Sequence, residues 1–577
     1  MLPVLIISTF VLSILSPMHR LPLPSFMHEW LMGAGTIMAL IAALRHLQHA
    51  HARIDGVVIM QGLLFLIAMF QLSMGLATTP AVLMFCGYLF FVVISYQAGC
   101  AIATSEQRVD HVRWLSSAAL LAALYSCVCA AFQLSHWPLP FDLVYPPANS
   151  GVYGNLAQTN QFNQLLWLGV ASSLFLGERG SLRRSLVLTS QLVLVIFSVL
   201  SASRTSVIFA SVLSVLPFFL SRMQLVRTTG KRRWAALLLP AYLCISVTFS
   251  HFEVAEHFGF RSVADRLAHS GLAGNSSSAS LQDARLGLWR NVVPSLSPLG
   301  VGIGNFRESM RERPELWKST SFQTVPEHAH NELLNLGSEL GWVAMLVFAG
   351  GVLWWLLARR KVLLDDVGIW AVSVVGLLGL YAMMEYPLRY LYFLIPFCVA
   401  LGILGPSVRP MAVLTIPVKM AMLVLVASLS VLVLAYRHFE PVDEIFFRLQ
   451  FGIGYTGKGN AEIVESLDGV PGWSPFKPYA SLVKSMIATP EDVRHGMLRG
   501  DCANVVRVWL SPKSLANCAA SYYLNGSPEQ AQKLLASVCT MIASKSANEV
   551  MLHFDWVVGK AGGGIRPAAC LGVESPR

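Results

Sequence analysis

Long apolar runs alternate with short polar loops through most of this chain. Thirteen runs can be drawn, at about 2–17, 28–45, 56–77, 80–104, 114–136, 162–177, 185–202, 205–221, 233–250, 338–358, 367–384, 389–405 and 420–436. Most are long enough to cross a hydrocarbon core of about 30 Å as a helix. The pattern breaks twice. A polar insert of roughly eighty residues begins near His251 and closes on Glu327-His328-Ala329-His330-Asn331-Glu332, where the chain turns apolar again. From Arg437 to Arg577 the chain is mixed polar and holds no span. The pattern therefore predicts an all-α polytopic integral membrane protein with about thirteen transmembrane helices. Residues 1–436 form the transmembrane domain, including a large loop at 251–337. Residues 437–577 form a C-terminal, mostly helical domain. Within it, Ser527 to Ala536 has the pattern of a capped amphipathic helix. Phe446, Phe447, Leu449 and Phe451 mark an amphipathic segment near the membrane, and Gly562 to Gly564 a loosely ordered end.

Composition sharpens this reading. The chain is 55% hydrophobic and only 13% charged, about half the charged fraction of a soluble protein. The net charge of +10 invites a nucleic-acid reading, but the basic residues sit in short loops between spans, where they set topology. Loops after even-numbered spans hold seventeen Lys and Arg, from Arg45 to Lys419; the short loops after odd-numbered spans hold only Arg20, Arg204 and Arg389. The N-terminus is thus expected in the cytoplasm, with the long insert and the tail outside it. The first run lacks a basic leader and reads as a span rather than a cleaved signal. Six cysteines lie in apolar runs, while Cys502, Cys518, Cys539 and Cys570 lie in the tail. No CxxC spacing points to zinc; an exported tail would permit one or two disulfides of unknown pairing.

Four polar groups stand out on the outer face. Gly154 to Asn163 carries Asn155, Gln158, Asn160, Gln161 and Asn163. Amides donate and accept without charge, which suits sugar hydroxyls and phosphate oxygens; the plainer alternative is a hydrogen-bonded helix entrance. Ser203-Arg204-Thr205 joins two spans so tightly that Arg204 must lie at the membrane face. Its guanidinium suits bidentate phosphate binding, against the alternative of a snorkelling anchor. Arg285 and Trp289 are four apart and share a helix face, with Arg290 beside them. A glycine-spaced segment, Pro298 to Phe306, lacks the GxGxxG of a dinucleotide loop. It reads as a tight turn bringing backbone close to a ligand or a neighbouring helix. The fourth group is the histidine stretch. His328 and His330 are two apart, so on a helix they diverge, and no HExxH accompanies them; a metal site is disfavoured. A neutral imidazole with a carboxylate to orient it suits a general base. The alternative is that these histidines, with Asn331, merely cap a re-entering helix.

Taken together and in this order, the Ser-Arg-Thr turn, Arg-x-x-x-Trp, the glycine-spaced segment and His-x-His-Asn before a span resemble the O-antigen ligase and polymerase superfamily over roughly residues 60–405. Gly154 to Asn163 is similar to the GNxxQxN segment of bacterial protein O-oligosaccharyltransferases. Glu385-Tyr386-Pro387-Leu388 to Leu394 resembles their EYPLxYxYFL segment, with Arg389 in place of a frequent aromatic. The resemblance implies a GT-C-like fold in a bacterial inner membrane. It implies transfer of an oligosaccharide, as a block and with inversion, from undecaprenyl pyrophosphate to Ser or Thr hydroxyls of a pilin-like or other exported protein. His330, or else His328, would act as base; Arg204 and Arg285 would stabilise the pyrophosphate. Asn155, Gln158, Asn160, Asn163, Trp289, Arg290, Asn331, Glu385 and Tyr386 would bind substrate. No cofactor, metal or nucleic acid is implied. An O-antigen ligase acting on lipid A core, or a polymerase, would share the same parts. A lipid-linked sugar flippase is the alternative of a different class; it would place ionisable residues at mid-membrane, whereas here charge gathers at one face.

Overall fold

The computed structural model describes residues 2–19, 22–45, 47–135, 144, 152–223, 225, 232–251, 279–317, 325–359, 364–407, 409–450, 460–508, 511–541 and 544–559. Much of the polar insert, 252–278 and 318–324, lies outside them, as do the glycine run 562–564 and Cys570.

Helices form where the apolar runs lie: α1 Leu2–Leu15, α2 Phe26–Leu44, α3 Gly56–Ser73, α4 Thr79–Thr104, α5 Arg108–Ser135, α6 Thr159–Glu178, α7 Arg184–Leu200, α8 Thr205–Arg222 and α9 Leu238–His251. The insert contributes α10 Ala279–Val292 and α11 Phe306–Glu312; α12 Glu332–Leu340, α13 Trp342–Arg359, α14 Asp366–Ala382 and α15 Leu391–Ile403 follow. A long α16, Val418–Gln450, leads into α17 Asn460–Asp468, α18 Lys477–Ile487, α19 Pro490–Arg494, α20 Cys502–Val508, α21 Pro512–Leu524, α22 Pro528–Met541 and α23 Ser544–Val558. Seven of these, α2, α3, α4, α5, α8, α13 and α16, are long and apolar enough to cross a membrane, and shorter apolar helices accompany them. The protein is an all-α, multi-pass membrane protein.

Local chemistry sets several boundaries. Asp55 begins α3 by accepting from the amides of Val57 and Val58, and Asp365 begins α14 by accepting from that of Gly368. α4 and α15 meet backbone to backbone: a Cβ on Gly99 would lie 2.1 Å from the Val399 carbonyl, and one on Gly402 would lie 2.1 Å from that of Tyr96. Small residues permit such approach where apolar burial alone cannot hold helices together.

Three expectations change. The tenth predicted run is split: α12 stops at Gly341 and α13 begins at Trp342, because the glycine-spaced turn crosses there. The last run does not end near 436; α16 continues through Pro441 to Gln450. Phe446, expected at the membrane, is buried in the core of the tail, with Phe439, Leu467, Leu482, Leu515, Leu535 and Phe554. That core is separate from the main one, in which Trp167, Tyr242, Tyr381 and Phe393 are buried. The third change is a two-stranded antiparallel sheet, β1 His49–Ile54 with β2 Ala412–Pro417, paired from His49↔Pro417 to Ile54↔Ala412. Both strands lie in loops between predicted spans. Of the tail cysteines, Cys502 and Cys518 form a disulfide, while Cys86, Cys100, Cys127, Cys129, Cys244 and Cys398 are free.

Candidate active site

The turn between α14 and α15 carries Glu385, whose side chain is almost fully buried, at 3% exposure. A carboxylate out of water must be paired, and this one is met from three parts of the chain. Its Oε1 accepts from Arg285 Nη2 at 2.5 Å and from Asn160 Nδ2 at 3.1 Å. Its Oε2 accepts from His330 Nδ1 at 3.0 Å. Burial would raise the Glu385 carboxyl, but the His330 hydrogen bond and the Arg285 charge outweigh it and hold it below the usual carboxylate value. Arg285 is fixed further by a 3.1 Å bond to the Met384 carbonyl.

The histidine stretch is a tight turn, fastened on all sides. Asn331 caps α12, accepting from the Leu334 amide at 3.0 Å, and its Nδ2 donates to the Met383 carbonyl at 3.0 Å. The Ala329 amide donates to Asn335 Oδ1 at 3.1 Å, and Trp289 Nε1 donates to the Ala329 carbonyl at 2.7 Å. Arg285 and Trp289, on one face of α10, thus hold the Glu385 turn and the histidine turn respectively. Arg290, about 100° further round the helix, is exposed. His328 lies against Tyr386, ring centroids 3.5 Å apart, and its Nδ1 accepts from the His330 amide at 3.3 Å. Burial, then the charges of His330, Arg389 and Arg285, push the His328 imidazole well below its usual value.

The amide run divides in two. Asn155 and Asn163 are fully buried. Asn155 Nδ2 donates to the Leu15 carbonyl at 2.9 Å. Asn163 donates to Thr205 Oγ1 at 3.0 Å and accepts from Ser198 and Ser206 hydroxyls at 2.6 and 2.8 Å. Both amides, expected to bind substrate, are engaged by protein groups inside the fold. Asn160 and Gln158 are half-buried at the start of α6. Asn160 bridges, because its Oδ1 accepts from Ser203 Oγ at 2.8 Å while its Nδ2 holds Glu385. The Ser203-Arg204-Thr205 turn is therefore two hydrogen bonds from Glu385, with half-buried Arg204 at the N-cap position of α8. Glu385, expected to bind substrate, is hydrogen-bonded to Arg285, Asn160 and His330.

Backbone strain marks the same places. Among the described residues three non-glycines have left-handed φ: Ala157 at 54°, Ala202 at 52° and His330 at 51°. One lies in the amide run, one immediately before the Ser-Arg-Thr turn and one in the histidine turn. Such conformations are uncommon for residues with a Cβ and persist where the surroundings over-determine them, often at functional sites.

Two features went unread in the sequence. Gln71, fully buried in α3, donates to the Leu299 and Glu339 carbonyls at 2.6 and 2.8 Å and accepts from the Ile303 amide at 3.1 Å. It pins the glycine-spaced turn, where a Cβ on Gly302 would fall 1.9 Å from the Leu76 carbonyl. The turn thus approaches protein backbone. An amide in an apolar span, which also holds Gln61, was the signal for Gln71. Arg389, noted as a loop charge and as a departure from the EYPL segment, pairs with Glu339 at 3.0 Å and Glu332 at 3.6 Å.

Residues 190–349 match the O-antigen ligase family, and residues 369–549 match a family described as virulence factor membrane-bound polymerase, C-terminal. The chain is also similar to the general O-oligosaccharyltransferase of Acinetobacter baylyi, 23% identical over 486 residues, covering 82% of each chain.

Proposed function

This chain belongs to the O-antigen ligase superfamily, on its O-oligosaccharyltransferase branch, and from that premise we propose that it transfers an oligosaccharide as a block from undecaprenyl pyrophosphate to Ser or Thr hydroxyls of exported proteins. The reaction takes place at the outer face of a bacterial inner membrane, where the tail also lies. The observation that carries the proposal is the buried Glu385 shared by His330 and Arg285. With Nδ1–H donating to Glu385, the basic lone pair of His330 falls on Nε2. That nitrogen takes the proton of the acceptor hydroxyl as its oxygen attacks the anomeric carbon. The bond from that carbon to the phosphate oxygen breaks, and its electron pair leaves with the lipid pyrophosphate. Attack opposite the leaving group inverts the anomeric centre. Charge developing on the pyrophosphate is met by Arg204 and by those N–H groups of Arg285 that Glu385 and Met384 do not take. Of the two histidines, His330 is the base because it alone is oriented by the carboxylate; His328 supports its amide. Trp289 and Asn331 fasten the turn, while Gln158 and Arg290 remain the outward-lying residues for contacts to glycan or acceptor.

The test is reconstitution of the purified protein with a lipid-linked oligosaccharide and, in turn, a Ser-containing exported protein and a lipid A core glycolipid. Transfer to the protein, lost in His330→Ala and retained in His328→Ala, is expected. Transfer to the glycolipid alone would assign the chain to the ligase activity instead.

A further inference from the structure

The short helix α11 lies between two bodies. On one side Phe306 and Met310 are buried with Leu288 and Val292 of α10, Trp317 and Ala329. On the other, its charged residues reach the tail. Arg507 Nε lies 3.3 Å from Glu308 Oε2, and Lys533 Nζ lies 2.8 Å from Glu312 Oε1. Arg307 does more than its neighbours. Its Nη1 donates to the carbonyl of Val508, the last residue of α20, and pairs with Glu327 Oε1 at 3.0 Å. A guanidinium is favourable at a helix C-terminus, where carbonyls lack intrahelical partners. The Arg307 side chain is only 17% exposed, unusual for arginine unless its charge is engaged. Glu327 immediately precedes His328. The element that Arg307 grips in the tail is itself fixed, since Cys502 at the start of α20 is bonded to Cys518 of α21.

We propose that Arg307 is a positioning residue, tying the C-terminal tail to the histidine turn so that docking of the tail sets the placement of His330. The tail then belongs to the transfer machinery without touching the reacting atoms, in a reaction whose base is the one argued above. Arg307 acts through Glu327 along the chain and through α11 against Ala329. Both contacts are made by one nitrogen, Nη1, so lysine, which keeps the charge and carries its donors on a single nitrogen of a different reach, can replace them only in part.

The experiment is hydrogen exchange on the full-length protein in nanodiscs, without donor or acceptor, followed at the amides of 328–331. In Arg307→Ala these amides are expected to exchange about tenfold faster, reflecting easier local opening. The main core stays as protected as in the wild type. Transfer turnover falls at least about tenfold while the donor KM stays within about twofold, as for a misplaced rather than missing group. Arg307→Lys recovers part of both. Because an alanine variant can fail to fold, the Glu308–Arg507 pair gives a second route. Glu308→Arg and Arg507→Glu singly should speed exchange at 328–331, and the double swap should restore it. Unchanged exchange at 328–331 in Arg307→Ala, or a double swap no better than its singles, would overturn the proposal. Exchange is read without any substrate, so a failure to glycosylate protein would count against the acceptor assignment and leave this result standing.

Discussion

Two ion clusters lie four residues apart in one turn, and they are built in opposite senses. At Glu385 a single buried carboxylate is surrounded by a guanidinium, an amide and an imidazole. At Arg389 a single guanidinium is flanked by two carboxylates, Glu339 and Glu332. In the first, Arg285 already balances the negative charge, and His330 Nδ1 meets the second carboxylate oxygen at 3.0 Å. In the second, every partner is spent on neutralising another. Burial, with the like charge of Glu339 adding to it against the pull of Arg389, pushes the Glu332 carboxyl up. The difference teaches that charge alone does not identify a reacting site. An anion with surplus donors can orient a base, whereas a cation with surplus acceptors only closes a joint.

The largest effect should come from Glu385→Gln, which keeps shape and removes charge. Its NH₂ must face either Arg285 or His330, and one of those bonds is lost. Comparable removal of the orienting carboxylate from a Ser-His-Asp triad costs about 10⁴-fold in turnover. A loss of about 10³-fold or more is expected in single-turnover transfer, with the protein still inserted and monodisperse. A loss under about tenfold would mean that His330 is not oriented from this side, and the contrast between the clusters would collapse.

Asn160→Ala comes next. It removes one donor from Glu385 and the acceptor of Ser203 together. Transfer should fall roughly 10- to 100-fold, a misplacement effect. Ser203→Ala, which leaves the Glu385 bond and removes those of Ser203 Oγ to Asn160 and Thr205 Oγ1, should cost less. Equal losses in the two variants would place the weight on the Arg204 turn rather than on Glu385.

Arg389→Gln should behave differently in kind. It leaves Glu339 and Glu332 without their shared cation, but the Arg389 side chain is 39% exposed, so water compensates in part. Stability should fall by about 1 kcal/mol, the range of partly exposed pairs. Transfer should fall less than about tenfold, a small share of what Glu385→Gln removes. Adding Glu339→Gln should return part of the lost unfolding temperature. If Arg389→Gln instead matches Glu385→Gln in activity, the second cluster takes part in the reaction.

How far these clusters were legible in the sequence follows from their construction. The helices were, because apolar period and length are local. So was the unusual density of amides at 155–163 and the histidine pair at a membrane re-entry. Glu385 as an organising residue was not: its partners are 225, 100 and 55 residues away, and no local pattern brings them together. Its segment was flagged by resemblance alone, and as a binding element. The division of the amide run into buried Asn155 and Asn163 and bridging Asn160 also depends on tertiary neighbours, namely the Leu15 carbonyl and the hydroxyls of 198–206. Arg307 carried no sequence signal, being one arginine among several in a polar insert. The left-handed φ of His330 had none either, since it is imposed by the bonds on both sides of it.

The smallest effect separates His328 from Glu385 by pH. His328 has a lowered pKa in the folded protein, so below about 6.5 the unfolded chain binds a proton that the folded chain refuses. Stability is therefore complete above that value and declines as pH falls beneath it, by at most about 1.4 kcal/mol per pH unit for one group. Glu385 has the same sign from a different cause: its partners depress its carboxyl, so its contribution is present above the ordinary carboxylate range and is lost as pH falls through the lower folded value. As pH falls, the His328 window opens first. Thermal unfolding midpoints at pH 7.5, 6.5 and 5.5 should fall less steeply in His328→Gln than in the wild type. Glu385→Gln should leave that slope unchanged and flatten the decline below about pH 4.5. The slope in His328→Gln should not vanish, because burial also lowers His19, to about 4, and it titrates in the same window. A wild-type slope retained in His328→Gln would show that this imidazole is not the buried neutral support of the turn, and the choice of His330 as base would lose its structural partner.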